Sequence, residues 1–387
     1  MVRTAYLDWN ATAPIRAEAA ARVVEAMSAT GNPSSIHAEG RAARLVIETA
    51  RREVARLVGA PEAGVIFASG GTEAIATALT PHWLVAGTPL TFAKALIGES
   101  EHAAVLAGGR FPKEATLRVT VSPNGLIDQA DLEAAIAAAE GPVLVAVQLA
   151  NNETGVVQKI AEIAALVHAK GGILVCDAVQ AAGKLALDIA ALGADALILS
   201  GHKIGGPQGT GALVLASEAT APAEALLRGG GQELGHRAGT EAVAAIAGFG
   251  IAVALAAAEL DEVVPRMAAL RDRLEAAVLA KVPEAVIFGR EVQRLPNTSL
   301  IGIDGASAAT LLMALDLSGF AVSSGSACSS GKVKRSHVLD AMGVPQRLAE
   351  SAIRVSLGRG TSDDDILRFV EAFETAAKCL YKRANAA

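Results

Sequence analysis

A chain of 387 residues with a formal net charge of −6 is long enough for more than one domain, and its mild acidity gives no nucleic-acid footprint. Alanine inflates the 52% apolar content, and the longest uncharged apolar run, 242–258, is Ala- and Gly-rich and bracketed by Glu241 and Glu259, so it reads as a buried helix and not a membrane span. The first eight residues turn polar too early for a signal peptide, and Cys176, Cys328 and Cys379 form no motif spacing, which makes a reducing cytoplasm the expected setting.

From about residue 14 to 216 two patterns alternate. Helical stretches run over 15–28, 36–57, 72–79, 128–139 and 160–169; apolar strand candidates run over 65–68, 116–121, 143–149, 173–176, 196–199 and 212–215. Alternation with continuous apolar strands predicts an α/β domain whose mostly parallel sheet is covered on both faces. Segment 181–192 has helical length and composition, so 173–199 reads as a βαβ unit whose strands end on one edge of the sheet. A long helical region, 240–279, follows, with a break expected at Pro265. Beyond it come strands at 285–288 and 298–303, a helix at 307–317, a Gly/Ser-rich loop, a strand at 353–357 and a helix at 363–380. These make a smaller α+β domain. The expected division is 15–262 for the large domain and 1–14 with 263–387 for the small one, which carries a loop at about 321–333.

The run 196–199 leads into Ser200-Gly-His-Lys203, and the run 172–176 ends at Asp177. If both strands are parallel, Lys203 and Asp177 sit close together. A lysine able to form a Schiff base beside an aspartate able to hold a pyridinium nitrogen protonated is the minimal apparatus of pyridoxal 5'-phosphate (PLP) chemistry. Ser69-Gly-Gly-Thr-Glu73 follows a strand and opens a helix; alone it is an ordinary turn, but beside that pair Gly71 and Thr72 supply a phosphate cup. His102 follows the run 90–97; a lone histidine is commonly a surface or core residue, yet a ring at a strand end suits stacking on a pyridine and moving protons. Asn151-Asn152 reads equally as a turn and as a ligand contact. In 323–331 the small residues and two glycines read as a mobile loop, and Cys328 in its middle reads as a nucleophile; Cys176 and Cys379 get structural readings. An inward Arg354 in a strand must find an anion, and its planar fork suits an α-carboxylate. The Gly-rich 229–233 and 237–241 read as a flexible loop before a helix, or as a second phosphate contact.

Taken together, 7–12 (Leu-Asp-Trp-Asn-Ala-Thr), 31–37, 71–73, 101–102, 151–155, 177–180, 200–203, 237–240, 323–331 and 353–359 resemble the cysteine desulfurases of the NifS/IscS kind, within the class V aminotransferase-like PLP enzymes of fold type I. The resemblance runs nearly end to end. It implies that Lys203 carries the cofactor, Asp177 pairs with the pyridine nitrogen, Gln180 bonds the phenolic oxygen and His102 stacks on the ring. Gly71, Thr72, Ser200 and His202 would hold the phosphate, with Thr240 joining from the other subunit of a homodimer. Asn152 and Arg354 would bind the substrate carboxylate. Cys328 would take sulfur from L-cysteine as a persulfide, release L-alanine, and pass the sulfur to an acceptor such as an iron–sulfur scaffold protein. The same cysteine is a candidate transient iron–sulfur ligand. Trp9, Gln208 and Ser329 depart from the family pattern without touching this set, and the short tail 382–387 implies a dedicated role such as nitrogenase cluster assembly. Rival readings are another PLP enzyme of the same fold, such as an aminotransferase or a selenocysteine lyase, an inactive scaffold or carrier protein, and a nucleotide-binding α/β protein. The loop at Gly71 lacks the spacings of the last.

Overall fold

The computed structural model describes residues 4–325 and 335–384, with side chains up to residue 378. Its centre is a seven-stranded sheet of β1 (Val65–Ala68), β2 (Ala95–Gly98), β3 (Thr116–Val119), β4 (Leu144–Gln148), β5 (Ile173–Asp177), β6 (Ala196–Ser200) and β7 (Gly211–Leu215). The spatial order is β1-β7-β6-β5-β4-β2-β3. The pairings β3/β2, β2/β4, β4/β5 and β5/β6 are parallel, and β7 is antiparallel to both of its neighbours. β4, β5 and β6 are buried along their whole length because apolar clusters cover both faces, which is why these strands read as unbroken apolar runs.

Helices α1 (Ala17–Ser28), α2 (Ala38–Val58), α3 (Gly71–Ala78), α4 (Gln129–Ala138) and α5 (Ile160–Ala169) fall within about two residues of expectation. The segment 181–192 does not. Gly183 takes φ 71°, and only Ile189–Leu192 is helical, capped by Asp188 and ended by Gly193 at φ 65°. The break after residue 240 also moves. Helices α6 (Val243–Ala258) and α7 (Leu260–Lys281) bend by 73° at Glu259, while Pro265 lies inside α7. Both carboxylate oxygens of Glu259 accept from Arg16 Nη1 at 2.9 Å, and Arg16 Nε donates to the Ile204 carbonyl, so an ion pair fixes the bend. Proline is tolerated at the sixth residue of α7, where it forfeits one backbone bond.

α6 packs between α1 and α2; a Cβ at Gly250 would stand 2.7 Å from Ala50 Cα, so that close approach needs glycine. Among the described residues no single helix is long and apolar enough to cross a membrane. A second sheet, β8 (Ala285–Ile287), β9 (Thr298–Ile303) and β10 (Ile353–Ser356), is antiparallel. With α7, α8 (Ala308–Leu317) and α9 (Asp363–Ala384) it encloses a separate apolar cluster. The N-terminal Ala5 and Leu7 join that cluster, and Ala5–Tyr6 pairs with Phe320–Ala321.

Candidate active site

The C-terminal ends of β4, β5 and β6 open onto one cavity of about 290 Å³. It is lined by ten of the residues singled out in the sequence: Gly71, Thr72, His102, Asn152, Asp177, Gln180, Ser200, His202, Lys203 and Arg354. Thr240 stands apart, on a separate cavity of about 80 Å³ with Ser69 and Arg237. Cys328 lies outside the described residues.

Lys203 ends a short 3-10 turn that continues β6, and its Nζ donates to the backbone carbonyls of Asn10 (2.7 Å) and Ala11 (2.8 Å). Asp177 ends β5. Its Oδ1 accepts from Val179 N at 2.9 Å; burial pushes the carboxyl up, against the pull of that amide, His102 and Lys203. His102 N-caps the turn Ala103–Leu106 by accepting from Ala104 N on Nδ1, which leaves Nε2 as the other ring nitrogen. Burial holds the ring below its usual range, and Lys203 and His337 add to this against Asp177. His202, whose Nδ1 lies 3.2 Å from Thr12 Oγ1, is pushed down to about 4, first by burial and then by Lys203. Both rings are therefore neutral at pH 7.

Arg354, on β10, is 2% exposed. Its Nη2 donates to Asp8 Oδ1 (2.8 Å) and its Nη1 to the Asn152 carbonyl (2.9 Å), while Nε has no hydrogen-bond partner among the described residues. The anion it finds is Asp8, in the run 7–12, 346 residues away in sequence. Asn151 takes the turn role: its Oδ1 accepts from the amides of Glu153 and Thr154, both at 2.8 Å, and Asn152 lines the cavity. Among the other lining residues are Asn10 and Ala11, from the run 7–12 but given no role by the sequence, and Gln148. Asn10 is a hub. Its Nδ2 donates to Thr298 Oγ1 (2.9 Å), its carbonyl accepts from Lys203 and from Gln180 Nε2 (2.9 Å), and its Oδ1 accepts from Lys184 Nζ and Asn297 Nδ2, both at 3.1 Å. Glu101 is also buried. Its Oε1 accepts from Gln148 N (2.9 Å), and burial pushes the acid well above the usual carboxylate range. Trp9 is outside the cavity, with Arg359 over its ring at 6.0 Å.

The donor set suits an anionic aromatic aldehyde phosphate. α3 begins at Gly71, so its first-turn amides have no partner within the helix and face the cavity edge. A Cβ at Gly71 would press on Val179 Cγ2 at 3.2 Å, so a side chain there would need Val179 to give way. The partially uncompensated Asp177 and the orphaned Arg354 Nε are buried groups that a bound ring nitrogen and a carboxylate would satisfy.

The model of the family described as Aminotransferase class-V matches residues 5–369. A cysteine desulfurase from Cereibacter sphaeroides is 42% identical over 373 residues, covering 95% of this chain and 94% of that relative. The crystal structure of a NifS-like protein from Rickettsia africae superposes with a TM-score of 0.87 at 35% identity, over 97% of this chain and all of that one. A structure described as SspA in complex with cysteine matches with a TM-score of 0.75 at 25% identity, over 92% of this chain and 99% of that one.

Proposed function

We propose that this chain, which belongs to the class-V aminotransferase family and is a PLP-dependent cysteine desulfurase of the NifS/IscS kind, performs its reaction with the residues gathered at the β4–β6 edge and with Cys328. What carries the assignment is the convergence of ten residues from six separate segments, Lys203 and Asp177 among them, on a single cavity. Lys203 fastens the cofactor, Asp177 faces its ring nitrogen, and Gly71, Thr72, Ser200 and His202 cradle its phosphate. Thr240, which is remote from the cavity in one chain, is supplied by a second copy. Bound there, the cofactor supplies an electron sink for the substrate's α-carbon. Arg354 and Asn152 hold the carboxylate of L-cysteine, and His102 Nε2 handles protons at the ring face. The Cβ–S bond of cysteine breaks and a bond from sulfur to Cys328 forms, so that cysteine and the Cys328 thiol become alanine and a Cys328 persulfide. That sulfur passes to an acceptor, for which an iron–sulfur scaffold protein is the expected class. In this reading 15–262 holds the cofactor, and 1–14 with 263–387 forms the lobe that bears Cys328.

The test is Cys328→Ala in the PLP-loaded protein. Alanine and persulfide formation from cysteine are expected to disappear while the yellow absorbance stays; sulfide release at the wild-type rate would refute the persulfide route. A pH expectation follows as well. Because burial holds His102 below the usual imidazole range, it stays neutral under mildly acidic conditions, and a rate that needs the neutral ring declines only below that range. A kcat profile that places the acid limb there, and loses it in His102→Gln, checks the assignment.

The second copy has a candidate face. Ile36 (90% exposed), Leu45 (61%) and Leu234 (64%) are large apolar side chains in solvent. They are tied into one region: Gln232 Nε2 reaches Ser34 Oγ, and Arg44 pairs with Glu241 beside Thr240. Ile36→Asp with Leu234→Asp is expected to give monomers by light scattering and to weaken PLP binding. Dimers with unchanged cofactor affinity would count against this face.

A further inference from the structure

Lys184 is a buried lysine behind the cavity-lining residues Gln180 and Asn10, and no step above uses it. It is 6% exposed and sits just past Gly183, the glycine at φ 71° that interrupts the expected helix. Its Nζ donates to Gln180 Oε1 at 2.9 Å and to Asn10 Oδ1 at 3.1 Å. An amine that offers N–H to an amide requires that amide to present its oxygen. The other end of Gln180 agrees, since Nε2 donates to the Asn10 carbonyl, which can only accept. The two contacts leave Gln180 one orientation, with its second N–H free for the cavity it lines.

We propose that Lys184 is a positioning residue: it locks the Gln180 amide so that an N–H faces the cofactor's ring oxygen, and through the shared Asn10 it steadies the carbonyl that receives Lys203. Burial, then Lys203 and Arg354, hold Lys184 well below the usual lysine range. Both of its contacts run to side-chain amide oxygens, so Lys184 acts on the site by geometry. A donor to the ring oxygen draws charge off it and makes the adjoining lysine linkage easier to deprotonate.

The inference rests on PLP being carried by Lys203, and the test separates the two. Visible absorbance of the PLP-loaded protein is titrated with pH in wild type, Lys184→Met, Gln180→Leu and the double variant; melting of each cofactor-free protein is measured alongside. Lys184→Met leaves Gln180 Oε1 without its donor, so the amide can turn over. The titration midpoint is expected to rise by about half a unit or more, and PLP affinity to fall by about tenfold. Gln180→Leu should show the same shift, and the double variant should match Gln180→Leu alone, because Lys184 acts through Gln180. Should Lys184→Met not fold, the double variant, in which both partners are apolar, carries the comparison against Gln180→Leu. A wild-type midpoint in Lys184→Met, or shifts that add in the double variant, overturns the proposal while leaving the cofactor assignment intact. Absence of a covalent PLP chromophore in wild type overturns both.

Discussion

Lys203→Ala is expected to abolish covalent capture of PLP and to lower kcat for alanine formation by about 10³-fold or more. The amine stands at the end of a fully buried strand and points at a cavity rim, held by two backbone carbonyls at 2.7 and 2.8 Å. Backbone acceptors cannot swing away, so Nζ has one preferred position before any cofactor arrives. No other side chain can take over. Lys184, another lysine close to the site, is turned away from the cavity and donates to Asn10 and Gln180. The variant should still fold, because Lys203 is only part-buried and lines the cavity, not the apolar core. Absorbance after dialysis and single-turnover alanine formation provide the check. A variant that keeps a dialysis-resistant yellow colour would show that the cofactor is anchored elsewhere.

Arg354→Met should damage both affinity and stability. A guanidinium at 2% exposure, paired with Asp8 at 2.8 Å, leaves behind a carboxylate without its partner when removed, a loss of about 3 kcal/mol. Substrate binding should suffer separately, with KM for cysteine rising about 10- to 100-fold, as expected for a lost hydrogen bond to a charged group. The second variant separates the two effects. Asp8→Asn added to Arg354→Met removes the stranded charge and should recover much of the melting temperature, but should leave KM high. If KM recovers together with stability, Arg354 serves the fold and not the carboxylate.

How much of this was legible in the sequence depends on the range of the interactions. Runs such as 196–203 declare themselves because a strand covered on both faces must be continuously apolar, and the polar residues that end it mark the sheet edge. Asp177 and Lys203 were paired by topology alone, since adjacent parallel strands finish together. The 181–192 helix failed because Gly183 turns left-handed and Lys184 is drawn inward to Asn10, some 174 residues away in sequence. The break at Glu259 was missed for the same reason, as its partner is Arg16, 243 residues upstream. The run 90–97 read as one segment; the structure divides it between Thr88–Thr91, in a three-stranded sheet with His82–Val85 and Thr220–Pro222, and β2 in the main sheet. Asn10 belongs to the run 7–12, but nothing local marks it as a hub, because every contact that makes it one is tertiary.

The hub also dictates an order of assembly. Asn10 and Ala11 leave the ribosome well before Lys203, since the carbonyls they offer it span 193 and 192 residues, and the Asp8–Arg354 link spans 346. Contacts this distant close late, after the central sheet has formed from neighbouring segments. In refolding from denaturant, far-ultraviolet dichroism should therefore return ahead of the capacity to take up PLP. A tag or trimming at the amino end that slows the docking of residues 5–12 should lengthen that lag and leave the earlier phase unchanged.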